Sequence, residues 1–281
     1  LAFHPGLRMY PGMKTSIATI LGFCAVMAVS AASGQTTLKD VVQVDVLDGG
    51  MTPRGTYLSA LRLTLADGWK TYWRAPGDAG IPPRFDWRKS RNLKELDYYW
   101  PAPHVFDQGD MQSIGYKDQL VLPVEISPSD PGGAIHLRGT VEIGVCSDVC
   151  IPTTLSIDHK IDRDAKRNPA IVAALAQRPY DRREGQVRTA TCRLSPIEGG
   201  MRIEARIAMP SAGGREVAVI EPGNAQIWAS QSETSRKGDV LTAASDLIHV
   251  KHGSFALDRS AVRITVLGHD HAVEIQGCAP G

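Results

Sequence analysis

Apolar and polar residues alternate with period two through much of this chain, and turn residues interrupt the alternation every few positions. Val41–Leu47 reads Val-Val-Gln-Val-Asp-Val-Leu, and Tyr57–Leu65 contains Leu-Arg-Leu-Thr-Leu. Ala66-Asp67-Gly68 then supplies a turn, and Trp69-Lys70-Thr71-Tyr72-Trp73 reads as the returning strand. Residues 119–126, 135–145 and 154–161 continue the run. This period puts alternate side chains on opposite faces of a strand, whereas a helix needs apolar residues three and four apart. The expected fold class is therefore all-β, with an antiparallel sandwich over residues 37–163. Four of the five tryptophans (69, 73, 87 and 100) fall in this half and are expected to pack its core.

One stretch breaks the rule. Pro169–Ala176 is a helix by pattern, with Asn168 as N-cap and Pro169 at the first helical position. Residues 164–185 are read as this helix plus a linker, Arg178–Gly185. Strands return at 201–207, 216–220, 225–229, 263–267 and 272–275, and Gly268-His269-Asp270-His271 reads as a hairpin loop. Residues 186–281 are thus expected to form a second, sandwich-like β domain.

The N-terminus reads as an export signal. Met13-Lys14 precedes an apolar run from Ile17 to Val29 and a small-residue exit, Ser30-Ala31-Ala32-Ser33. The signal peptide is placed at 13–32, and residues 1–12 are read as upstream of the true start. The apolar run falls short of the roughly 20 residues that a membrane span needs. Phe23 before Cys24 disfavours a lipoprotein signal. The mature chain is expected in an oxidising compartment, most simply a bacterial periplasm, without membrane insertion after cleavage. Net charge over 281 residues is +1, which gives no footprint for nucleic acid.

Removing the signal leaves four cysteines: 146, 150, 192 and 278. An even count in an exported chain favours disulfides, and the sequence-local pairing is 146–150 with 192–278. Cys146 and Cys150 flank Ser147-Asp148-Val149, and a straight strand would hold them roughly 13 Å apart. A disulfide needs Cα atoms about 4.4–6.8 Å apart, so the chain must turn there. In the loop-entropy account the short ring stabilises by roughly 2 kcal/mol and the long one by about 4.6 kcal/mol. The short ring is the poorer staple, which favours redox work for 146–150 and a structural role for 192–278.

Two thiolates suit Cu(I), so the pair also admits a copper-delivery reading. The thioredoxin-like copper chaperones, however, need a βαβ alternation that this strand-rich context lacks. His269 and His271 read as a solvated turn, Asp78 as a turn former, and no residue set at zinc-ligand spacing is present. No metal site is expected. Hydrolase signatures and phosphate-binding glycine loops are absent from the sequence. No basic residue lies within 144–152, so the motif offers no cause for a lowered thiol pKa.

Several motifs together resemble a known family. Trp69–Arg74, Pro76–Pro83, Trp100-Pro101-Ala102-Pro103, Gly115-Tyr116, Leu122-Pro123-Val124 and Gly144–Pro152 are similar to the periplasmic N-terminal domain of DsbD-type protein-disulfide reductases, in the ScsB-like branch. The resemblance implies an immunoglobulin-like domain that relays electrons by disulfide exchange. The electrons pass from a membrane-anchored donor of the DsbD/CcdA type to periplasmic thioredoxin-fold partners. It implies that Cys146 and Cys150 are the catalytic pair, with Cys150 forming the mixed disulfide and Cys146 resolving it. It also implies an aromatic cap over the pair from a loop at 106–113, with Phe106 as the candidate. No organic cofactor is expected. With no membrane or thioredoxin domain before Gly281, the donor would be a separate chain. A Cu(I)-handling protein using the same pair, and a non-enzymatic β-sandwich adaptor with structural disulfides, are the alternatives.

Overall fold

The alternating segments become strands. The computed structural model describes residues 38–281 except 79, 109 and 110, and only the backbone of Leu38, Lys39 and Gln108. The expected signal peptide, residues 1–12 and Cys24 lie outside the described residues. A helical turn, α1 (Leu38–Val41), leads into β1 (Val42–Met51) and β2 (Tyr57–Leu65). Then come β3 (Lys70–Tyr72), β4 (Arg84–Asp86), β5 (Glu95–Tyr98), β6 (His104–Gln108) and β7 (Met111–Lys117). The series continues with β8 (Gln119–Ser127), β9 (His136–Cys146) and β10 (Cys150–Lys160).

These strands make two antiparallel sheets. One has the order β1-β2-β8-β5, the other β10-β9-β3-β7-β6, with β4 paired to β9. Leu61, Leu122 and Ile126 from the first sheet and Trp73, Tyr116, Leu137 and Val145 from the second are buried in one core. This is the expected immunoglobulin-like sandwich. Its aromatic wall includes Tyr98, which accepts a hydrogen bond of 2.6 Å from Trp87 Nε1. Burial pushes the Tyr98 phenol up to about 12. A phenol that keeps its proton longer when folded adds stability below about pH 10 and loses it as pH rises toward 12. Stability is expected to fall by about 2–3 kcal/mol from this group over that interval. Denaturant melts of Tyr98→Phe against the parent, at pH 8 and pH 11, measure that part of the alkaline loss.

Two local differences from the sequence reading have physical reasons. β10 starts at Cys150 rather than near Thr154 and runs straight through Pro152. It is an edge strand of its sheet, where a proline without an N–H costs no ladder bond on the open side. Of residues 106–113, expected as a loop, 106–108 instead continue β6 and 111–113 begin β7, an antiparallel pair with Phe106 opposite Ser113.

The helix, α2 (Pro169–Ala176), has the expected bounds, and Asn168 Oδ1 accepts from Ala170 N at 3.0 Å. The segment after it is tied down. Tyr180 bridges to Val273, and Glu184 accepts from Arg178 at 2.7 Å. The remaining strands are β11 (Thr189–Ile197), β12 (Gly200–Ala208), β13 (Val217–Glu221), β14 (Ile227–Ala229), β15 (Glu233–Lys237) and β16 (Val240–His249). They are followed by β17 (Arg263–Leu267), β18 (Ala272–Gln276) and β19 (Ala279–Pro280). Their sheets are β14-β16-β12-β11-β19, with β15 on β16, and β13-β17-β18. Ile203, Ile207, Leu241, Leu247, Ile264 and Ile275 fill the space between them. Among the described residues no helix is long and apolar enough to cross a membrane.

Candidate redox site

β9 shows a break in its alternation where the site begins. Leu137, Val141, Ile143 and Val145 face the core, and Arg138 and Glu142 on the other face are exposed. Gly144 and Cys146 share that outer face, yet both are buried. Residues upstream of β4 fold over them. A Cβ on Gly144 would lie 2.8 Å from Ile81 Cβ and 3.0 Å from Tyr72 Cδ2, so only glycine fits beneath this cover.

Cys146 ends β9 and Cys150 begins β10, and the two are cross-strand partners. Ser147, Asp148 and Val149 close the hairpin between them. The Cα atoms lie 4.1 Å apart and the sulfurs are bonded. The turn that the spacing required is thus the tip of a paired ladder. The partners differ in access: Cys146 is 0% exposed, while Cys150 lies in the exposed class, next to Val149 at 61%. Cys150 is the exposed residue of the pair and Cys146 the enclosed one. Cys192 and Cys278 form a second bond, 5.7 Å between Cα atoms, with Cys192 fully buried in the core of the later strands.

Tyr72 was not singled out in the sequence as a site residue. Its ring sits under the same cover at 2% exposure, and its hydroxyl lies 2.8 Å from Cys146 Sγ and 3.2 Å from Cys150 Sγ. A disulfide sulfur carries no proton, so the tyrosine donates. Burial raises the Tyr72 pKa, which keeps this donor protonated. The sequence signal was its place two residues after Lys70, on the same face of a short strand.

Lys70 changes the electrostatic picture drawn from the motif alone. Although 144–152 holds no base, β3 places Lys70 directly opposite Cys146 in the ladder, pointing to the same face. Its ammonium is 3.1 Å from Ser113 Oγ and 5.0 Å from the centre of the Phe106 ring. Burial lowers the Lys70 pKa, and the Lys117 charge lowers it further. Lys117 Nζ lies 5.3 Å from the centre of the same Phe106 ring. Phe106 therefore stands on the site face as the aromatic partner of two lysines. A groove of about 330 Å³ is lined by Ile81, Pro82, Arg84, Glu142, Pro152 and Thr154 among others. His269 and His271 lie in the turn between β17 and β18, with His271 stacked on Tyr180. Among the described residues no group of three or more His, Cys, Asp or Glu side chains could hold a metal ion.

A β-sandwich that ends a strand pair in a five-residue disulfide, one cysteine buried and the other exposed, has the architecture of a thiol–disulfide interchange module. Residues 43–160 match the family model for the N-terminal domain of the thiol:disulfide interchange protein DsbD. The structure is similar to the crystal structure of the N-terminal periplasmic domain of ScsB from Proteus mirabilis. The TM-score is 0.65 at 22% identity, over 86% of this chain and 95% of that one. No curated protein matches the chain.

Proposed function

We propose that the chain is a periplasmic electron relay in which Cys146 and Cys150 alternate between disulfide and dithiol. The observation that carries this is the unequal exposure of the two cysteines beside a buried phenol. A partner's thiolate attacks Cys150 Sγ, the bond to Cys146 breaks, and Cys146 leaves as a thiolate that takes up a proton. The partner's second thiol then attacks its own sulfur in the mixed disulfide and frees Cys150. The partner dithiol is oxidised to a disulfide, and the Cys146–Cys150 disulfide is reduced to two thiols. Run in reverse, Cys150 reduces a partner disulfide and Cys146 resolves the complex. Thioredoxin-fold proteins fit as partners, because their exposed dithiols perform the same two-step exchange, and a membrane-anchored reductase fits as donor. Phe106 and the lysines beside it would shield the pair between encounters.

Redox titration tests the assignment, with Cys192–Cys278 as internal control. Cys146–Cys150 is expected to titrate above the roughly −300 mV limit of structural disulfides, and the control below it. A first pair as reducing as the control would overturn the relay.

Tyr72 supports the step in which charge is buried. The thiolate left on Cys146 develops at a fully enclosed position, and the Tyr72 hydroxyl is aimed at it. A hydrogen bond to a charged group contributes about 1.5–3 kcal/mol, so Tyr72→Phe is expected to slow reduction roughly tenfold to hundredfold. Stopped-flow reduction by dithiothreitol reads this directly, and an unchanged rate would remove Tyr72 from the chemistry.

A further inference from the structure

The later strands touch the first sandwich close to the redox pair. Both sandwiches lie within one compact unit, Thr36–Gly281, and Leu267 and Ala272 join the hydrophobic core of the first. Arg74, two residues past Tyr72, stacks its guanidinium 4.3 Å from the centre of the Trp73 ring. Two carboxylates of the second sandwich then hold it. Arg74 Nε donates to Glu221 Oε1 at 3.0 Å, and Nη2 donates to Glu274 Oε2 at 2.6 Å. Gln231, between β14 and β15, reaches two further segments. Its Nε2 donates to Gln112 Oε1 at 2.7 Å, and its backbone N–H to Asp78 Oδ1 at 3.3 Å. Gln112 is buried, donates to Asp107 at 2.8 Å, and precedes the Ser113 that accepts from Lys70. Arg215 meets Asp107 from the second sandwich at 3.3 Å.

These contacts land on Arg74, Asp78, Asp107 and Gln112. Arg74 and Asp78 follow Tyr72 in the segment after β3, and Asp107 and Gln112 adjoin Phe106 in β6 and Ser113 in β7. A reacting geometry is only as fixed as the groups that pack and hydrogen-bond around it. We propose that Glu221, Gln231 and Arg215 are positioning residues for disulfide exchange. They brace β3 and the β6–β7 pair so that Tyr72 and Lys70 keep their places at Cys146–Cys150. The proposal rests on the relay reading and gives the second sandwich a role in it.

The test uses the full chain with dithiothreitol and reduced thioredoxin as probes, following Cys146–Cys150 reduction across pH 6–9. Gln231→Ala, Glu221→Gln and Arg215→Asp are each expected to slow reduction about three- to tenfold, the effect of losing one hydrogen bond at the site. The apparent pKa of the reduced pair is expected to rise. Cys192–Cys278 should be unaffected, and Asp107→Arg combined with Arg215→Asp should recover most of the rate. Parental rates and pH profiles in all variants would overturn the brace while leaving the relay intact. So would slowing that only tracks lost thermal stability and is not recovered in the swapped pair. A parent pair that does not exchange with either probe would sink the relay, and the brace with it.

Discussion

Cys146→Ala is expected to accumulate a mixed disulfide with oxidised glutathione, which carries no second thiol of its own, and Cys150→Ala is expected to accumulate about tenfold less or none. The asymmetry follows from access rather than from thiol chemistry alone. Exchange requires the incoming sulfur to approach the attacked sulfur along the line of the bond being broken. Cys150 begins an edge strand and is exposed, whereas Cys146 is 0% exposed beneath Tyr72 and its cover. The bond to a partner therefore forms at Cys150. With alanine at 146 no thiol is at hand to resolve it, so the complex persists until dithiothreitol is added. With alanine at 150 the remaining thiol is enclosed and meets no partner. Non-reducing electrophoresis followed by mass spectrometry of the adduct distinguishes the two variants. Capture through Cys146 in Cys150→Ala would reverse the assigned roles.

The second large effect concerns the other disulfide. Cys192 and Cys278 lie 86 residues apart in sequence and join β11 to the chain just after β18. Closing a loop of that length removes about 4.6 kcal/mol of unfolded-chain entropy, against roughly 2 kcal/mol for the ring at 146–150. Replacing both Cys192 and Cys278 with alanine is thus expected to lower the unfolding free energy by about 4–5 kcal/mol, a large share of a typical domain's total. Replacing Cys146 and Cys150 should lower it by less than half as much. Urea melts of the two double variants rank them, and equal losses would show that the short ring is a staple too.

How much of this could be read from the residues depends on range. Period-two alternation gave the strands whose turns are short, and Asn168-Pro169 located α2 to the residue. The site's second half was hidden because its members meet only through sheet pairing. Lys70 and Tyr72 are 76 and 74 residues before Cys146, and nothing in local pattern says that β3 will lie beside β9. The same limit made the motif look free of positive charge. The loop expected at 106–113 comes from the family resemblance alone, with no support from the local pattern of residues. The described residues on either side of 109–110 instead pair as β6 and β7. The contacts through Gln231 and Arg215 had no sequence signal, since an exposed-looking glutamine and arginine acquire meaning only from what they face.

The ladder beneath the disulfide has a kinetic consequence. β9 and β10 are paired from Cys146–Cys150 down to His136–Lys160, so the two sulfurs are held together by backbone whether or not they are bonded. Reduction is expected to leave this hairpin with its register intact. A partner joined to Cys150 therefore faces the Cys146 thiol at the high effective molarity of a pre-aligned intramolecular nucleophile. Each encounter with the parent protein should be brief, and either sulfur can be recycled without the fold having to move.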